Sequence, residues 1–408
     1  MRTLILLLLT FLTLVSVAVA QSKKDKLELG VQTTSLSLFH PDFPADDSQQ
    51  GIGGRVTYNF NRSIAADAEF NFFPQKQFLL TADGSAIQGQ FGVKIGKRFE
   101  KAGVFGKLRP GFLSVNRVFS IVPGTQVPPG FADFTIERKT FFTTDFGGVL
   151  ELYPSKRAVV RFDIGDTMIR HPDLFGQSIF AGPVELVRPA KWKHNFQFTA
   201  GVSFRLGDFP DAESVSTSNR GQKRTRRFEA GLQFTSLLVE PPNPSQGLTV
   251  ARAHSEPGFG LRFTFNLTDM IAFEAEGNYF TRNQFSVFQQ GGHMFQGQFG
   301  GKVGKRFERW GLFGKARPGF VGFSRVFDFP FGVQVPPAPG FRFVKKYHPS
   351  LDLGGVVEFY ISPRWMARFD VGDTIIRYGE LTFPNLAFGI PGATRHNLQV
   401  SSGIGFRF

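Results

Sequence analysis

The stretch RFDIGDTMIR, Arg161 to Arg170, returns 207 residues later as RFDVGDTIIR, Arg368 to Arg377. In an extended strand successive side chains point to opposite faces. Arg161 and Asp163 therefore share one face, and Phe162 and Ile164 share the other. A strand with ions on one face and large apolar groups on the other needs two very different surroundings.

The repetition is general. QGQFGVKIGKRFE (88–100) returns as QGQFGGKVGKRFE (296–308), and VFGKLRPGF (104–112) as LFGKARPGF (312–320). DFGGVLELYPS (145–155) returns as DLGGVVEFYIS (352–362), and KHNFQFTAGVSFRL (193–206) as RHNLQVSSGIGFRF (395–408). Such a unit is far longer than the 20–50 residues of solenoid repeats, so it reads as a duplicated domain. The expected organisation is a leader at 1–20, a first repeat at 21–207, a polar linker at 208–227 and a second repeat at 228–408.

Within the first repeat, alternation predicts eight strands: 26–36, 52–60, 64–73, 87–99, 103–117, 141–153, 158–169 and 194–206. Residues 61–63, 100–102 and 154–157 read as tight turns. Residues 40–51, 74–86, 118–140 and 170–193 read as long loops rich in Pro, Gly and Asp. Short turns at one end and long loops at the other predict an all-β, antiparallel, up-and-down transmembrane barrel.

The two faces sort cleanly. One carries Val56, Tyr58, Phe70, Phe91, Val93, Leu108, Phe146, Phe162, Ile164 and Phe204, and no charge, so it suits lipid. The other carries Glu28, Arg55, Asp67, Glu69, Lys94, Lys107, Arg109, Asp145, Glu151, Arg161, Asp163 and Arg205. The second repeat supplies Glu229, Arg262, Glu274, Glu276, Lys302, Lys315, Arg317, Asp352, Glu358, Arg368, Asp370 and Arg407, with the same sign at every position. An eight-stranded barrel has an interior that side chains fill. Charges are tolerated there only when paired and hydrogen-bonded. The tight turn between their strands predicts that Glu151 and Arg161 pair.

The N-terminus, MRTLILLLLTFLTLVSVAVAQ, has one Arg, an apolar run and Ala18-Val19-Ala20. It reads as a secretory signal cut after Ala20. The net charge is +14 and there is no Cys, which excludes disulfides and thiolate metal sites. An exported basic chain is not expected to meet nucleic acid.

With faces, loops and leader in place, the chain resembles the small eight-stranded outer-membrane barrels of the OmpA and OmpX kind, in two tandem copies. The terminal SSGIGFRF, with Ile404, Phe406 and Phe408 alternating to the end, resembles the signal read by that family's barrel-insertion machinery. The resemblance implies the outer membrane of a Gram-negative-type bacterium, with membrane lipid and the insertion machinery as partners. Tyr153, Trp310, Tyr360 and Trp365 fall at short-turn ends, where interface aromatics are expected. Pro110 and Pro318 lie inside strands and read as bulges with Gly111 and Gly319. A second reading likens these prolines to those of lipid-modifying barrels, which loosen strand pairing.

Catalytic, cofactor and metal residues are not expected. His194 and His396 recur, but no recurring partner is legible for them: His171 and Asp173 become Tyr378 and Gly379. GKVGKRF lacks the phosphate-loop spacing, and the glycosylation-like NRS and NLT fall in tight turns. The expected role is a structural outer-membrane protein with a salt-bridged lumen and long external loops of unidentified ligand. A sixteen-stranded diffusion pore is the alternative, and a lipid-modifying enzyme the third class. Phe131, Phe134, Phe180, Phe329 and Phe331 mark apolar loop positions. Arg205 can close against Glu28 or open towards Glu229. The polar segment 207–227 is much longer than a hairpin needs, which favours two barrels.

Overall fold

The computed structural model describes residues 27–39, 46–74, 84–121, 134–177, 184–206, 226–240, 253–281, 292–328, 342–383 and 388–408. The expected leader at 1–20, most of the expected linker at 208–227, and Phe131, Phe180, Phe329 and Phe331 lie outside the described residues.

The first repeat comprises β1 (Leu27–Phe39), β2 (Asp46–Asn59), β3 (Ile64–Phe73), β4 (Ala86–Arg98), β5 (Ala102–Ile121), β6 (Phe134–Leu152), β7 (Ala158–His171), β8 (Leu174–Gln177), β9 (Val184–Arg188), β10 (Lys191–Lys193) and β11 (Phe196–Leu206). The second comprises β12 (Phe228–Val239), β13 (His254–Asn266), β14 (Ile271–Phe280), β15 (Met294–Arg306), β16 (Trp310–Asp328), β17 (Arg342–Tyr360), β18 (Trp365–Tyr378), β19 (Leu381–Phe383), β20 (Phe388–Ile390) and β21 (Ala393–Arg407). Among the described residues no helix is long and apolar enough to cross a membrane.

Each repeat closes on itself. Strands β1 to β7 and β11 form one ring, in which β1 pairs with both β2 and β11. Strands β12 to β18 and β21 form the second closed barrel. Glu28 stands opposite Arg205, and Glu229 opposite Arg407. The choice between closing and opening is thus made twice in favour of closing, giving two eight-stranded barrels. Closure pairs each of the eight ring strands of a barrel on both sides, which removes the exposed edge of an open sheet.

Two readings of the sequence need correction. Strands β2, β5 and β6 run further into the predicted loops than alternation indicated, and three short strands occupy part of 170–193. Pro110 and Pro318 are not bulges. The β4–β5 register is the same on both sides of Pro110, and pairing simply lapses over Phe91–Gly92 opposite Arg109–Pro110. A residue without an N–H breaks the ladder without shifting it. The real irregularities come later, between Val115 and Val118 and between Phe323 and Val326. Arg117 adopts a left-handed φ of 61° there.

The short turns are locked by their own side chains. Asn61 Oδ1 accepts from the backbone N–H of Ser63 (2.8 Å) and Ile64 (2.9 Å), an Asx turn. Thr268 does the same for Met270 and Ile271.

Candidate functional site

The candidate site is the interior of each barrel, where the side chains stack in three layers. Nearest the short turns lies the charged layer. Its members in the first barrel are all buried, with Glu69, Lys94, Arg109, Asp145 and Glu151 fully so. In the second barrel the equivalent residues are buried except Arg407, whose side chain is 13 % exposed.

Arg109 lies at the centre. Its Nη1 donates to Glu69 (2.6 Å), and its Nε and Nη2 donate to Asp145 (3.0 and 2.7 Å). Lys107 approaches the same Asp145 at 2.7 Å. Arg161 binds Asp163 on its own strand (2.6 Å from Nε) and reaches across the lumen to Asp67 at 2.7 Å. Arg205 closes the seam on Glu28 at 3.0 Å. Arg55 is held by neutral groups, Gln32 Oε1 and Ser203 Oγ, both at 2.9 Å. A carboxylate shared between cations, as Asp145 is between Lys107 and Arg109, offsets the desolvation of its partners.

Glu151 pairs with Lys94 rather than with Arg161. Arg161 and Glu151 are backbone neighbours in register, but the Arg161 guanidinium turns to Asp163 and Asp67. Backbone register places Cα atoms; side-chain reach chooses partners. Two members escaped the sequence reading. Arg98 lies 3.8 Å from both Glu28 and Glu151, and Arg306 lies 3.5 Å from Glu229. Both sit at a strand end beside a turn, where Lys97-Arg98 and Lys305-Arg306 blur the alternation.

Tyr153 and Tyr360 also differ from expectation. Tyr153 is buried and donates its hydroxyl to Glu151 (2.8 Å), under the Arg205 guanidinium, whose centre is 4.4 Å from the ring centroid. Tyr360 does the same with Glu358 at 2.9 Å. Each closes the floor of a lumen. A Cβ at Gly103 would sit 2.4 Å from Tyr153 Oη, and one at Gly311 2.5 Å from Tyr360 Oη, so glycine makes the room. Trp310 and Trp365 stay exposed, as interface aromatics do.

Above the charges lies an amide layer. Gln32 donates to Asn71 (2.8 Å), Asn71 to Gln88 (3.0 Å), and Gln88 to Gln197 (2.9 Å). Gln233, Asn278, Gln296 and Gln399 repeat the chain in the second barrel. Above that, towards the long loops, the inward face turns apolar. Leu36, Phe73, Leu113, Val115 and Ile169 cluster in one barrel, and Leu237, Phe280, Met294, Phe323 and Ile376 in the other. The signal was present in the sequence: Leu36, Phe73 and Leu113 lie on the same parity as the charges.

His194 does have a partner. Its Nδ1 lies 2.5 Å from Asp166, whose other oxygen accepts the Asn195 N–H at 3.0 Å. His396, Asp373 and Asn397 repeat this at 2.6 and 3.1 Å. The recurring carboxylate sits in GDT, on the neighbouring strand, too far along the chain for spacing to reveal it. Both dyads face outwards and are solvent-accessible. Among the described residues no cluster of three or more His, Asp or Glu side chains could hold a metal ion.

The architecture so built is a pair of closed β-barrels with ion-filled interiors. No protein-family model matches the chain, and no curated protein does. Solved structures resemble it at low identity. The attachment invasion locus protein Ail of Yersinia pestis is 12 % identical, covering 45 % of this chain and 99 % of its own, with a TM-score of 0.28. The monoaromatic hydrocarbon channel CymD is 9 % identical over 94 % of this chain and 89 % of its own, TM-score 0.30. The toluene transporter TbuX of Ralstonia pickettii is 10 % identical over 96 % of this chain and 91 % of its own, TM-score 0.28.

Proposed function

We propose that the chain is an integral outer-membrane protein whose barrels are non-conducting anchors that hold the long loops outside the cell. The observation that carries this reading is the stacking of three packed layers in each lumen, with the apolar layer at the loop end. A diffusion pore needs a continuous polar, hydrated path. Here Phe73 and Leu36, or Phe280, Leu237 and Met294, occupy that path with no accessible surface. The outward face supports residence in lipid: Ile95, Val104, Leu108, Phe263, Phe299 and Leu312 are each more than half exposed. An aqueous protein would not leave that much aliphatic and aromatic surface open.

On this reading the partners are membrane lipid and, during biogenesis, the insertion machinery. Ile404, Phe406 and Phe408 point outwards along the last strand, and Trp365 packs edge-on against Phe406 at 5.0 Å. On this reading the lumen carboxylates serve as counter-ions to the cations packed beside them.

Purified full-length protein reconstituted in planar bilayers tests the reading. The expected result is the absence of long-lived conductance steps. Stable steps of porin size would establish the pore instead.

A further inference from the structure

Outward-pointing side chains fall into two populations. On β4, β5, β15 and β16 they are open, as with Ile95, Leu108 and Leu312. On β7, β11, β12, β18 and β21 some outward positions are closed: Phe162 is 9 % exposed, Ala200 2 %, Phe234 7 % and Ala367 fully buried. Ile164, two residues along the same face from Phe162, is 50 % exposed. Something covers one stripe of each barrel, and that something is the other barrel.

Phe162 stacks on Phe369 with centroids 6.0 Å apart and planes 3° from parallel. These two residues occupy the same position in the two repeats. Phe198 stacks on Phe234 at 4.0 Å. Their counterparts in the opposite repeats are Val400 and Thr33, and both line the same crevice as the phenylalanines. Equivalent surfaces therefore meet about an approximate two-fold axis, the isologous arrangement of a dimer. The match is complementary rather than identical. Each repeat brings one Phe and one smaller side chain to the crevice, so two rings stack where two copies of either repeat would pair them differently.

The stripe is also chemically distinct. Ser35, Ser48, Ser236 and Ser255 point outwards and are buried. Ser236 and Ser255 hydroxyls lie 2.7 Å apart, and those of Ser37 and Ser48 3.2 Å. Each pair lies within one barrel, between neighbouring strands, and leaves a surface of short side chains there. Small residues on a membrane-embedded face let two backbones approach closely. Strands β2 and β13 accordingly run with Cα atoms within 8 Å of one another.

We infer that this Ser- and Phe-bearing stripe is a dedicated protein–protein interface inside the membrane. It fixes the two barrels of one chain as a pair, and its partner is the opposite repeat. The inference does not depend on whether the lumens conduct.

The chain has no cysteine among its residues, so pairs can be introduced cleanly. The experiment uses full-length protein in outer-membrane vesicles, with a protease site placed in the linker 208–227. Phe162→Cys with Phe369→Cys is treated with a short bifunctional thiol reagent, the linker is cut, and the halves are resolved on a denaturing gel. The control is Val104→Cys with Leu312→Cys, equivalent positions on the open side, 54 % and 51 % exposed. The seam pair should hold the halves in one band and the control should not. Adding Ala200→Trp and Ser402→Trp should abolish that band while each half keeps its heat-modifiable mobility. Equal cross-linking at both pairs, none at the seam pair in normally folded protein, or a cross-link indifferent to the tryptophans would each overturn the interface.

Discussion

The two barrels carry the same pattern of lumen charges, yet they are not wired alike. The difference turns on one methylene. Asp67 in the first barrel binds Arg161 at 2.7 Å and accepts from Thr57 at 2.7 Å. Its counterpart Glu274 contacts Arg368, reaches Lys302 at 3.3 Å and Arg317 at 3.5 Å, and still accepts from Thr264 at 3.2 Å. The longer side chain turns a local bridge into the hub of the second network. Charge sign alone says nothing about this; reach decides it.

The largest effect should come from removing that hub. Glu274→Ala leaves three buried cations short of a counter-ion, and loss of one partner in a buried pair costs about 3–5 kcal/mol. Asp67→Ala should cost less, because it withdraws a carboxylate from one cation, Arg161, rather than from three. Urea unfolding followed by tryptophan fluorescence separates the two, since Trp192 belongs to the first barrel and Trp310 and Trp365 to the second. Equal losses would mean the networks are equivalent despite their geometry.

A charge on the open face should matter nearly as much, and equally in both barrels. Leu108→Arg and its counterpart Ala316→Arg should each cost ~2–4 kcal/mol if those positions sit near the bilayer midplane. Heat-modifiable mobility of the assembled protein measures it, and normal mobility for both variants would remove the lipid assignment. Phe162 and Phe369 are unsuitable sites for this test, because they stack on each other.

A double-mutant cycle on Lys94 and Glu151 should show coupling of ~1–3 kcal/mol, as contacting charges in one network do. The same cycle on Glu151 and Arg161 should give clearly less. A larger value for the second cycle would reinstate the cross-strand pair that register alone predicts. The counterpart cycle on Lys302 and Glu358 should match the first.

The smallest change is the swap itself. Glu274→Asp should cost about 1.5 kcal/mol, the scale of a hydrogen bond to a charged group, by withdrawing the carboxylate from Lys302 and Arg317. Asp67→Glu should be close to neutral or mildly costly, since the added methylene must fit a packed lumen. Equal effects in the two directions would show that the hub is not built by side-chain length.

The wiring also marks how far local reading reaches. Parity along RFDIGDTMIR separates Arg161 and Asp163 from Phe162 and Ile164, because alternation is a property of two adjacent residues. The inward apolar layer was just as local, carried by Leu36, Phe73 and Leu113 on the charged parity. Its signal is masked along the chain because the ions on that face dominate the pattern. The dyad of His194 and Asp166 is different, since it exists only when β7 and β11 lie side by side.

The duplicated unit, the strands, and the sorting of side chains onto two faces are all legible along the chain. Those follow from a period of two and from turn residues such as Asn61, which act within a few positions. Who pairs with whom emerges only once the strands lie side by side around each lumen. Arg161 finds Asp67 across the lumen, 94 positions away, and Glu151 takes Lys94 in place of its neighbour Arg161. The outer face follows the same rule. Phe162 and Ile164 are alike in the sequence, but one is closed and the other open, because burial depends on the surface that arrives from another part of the chain.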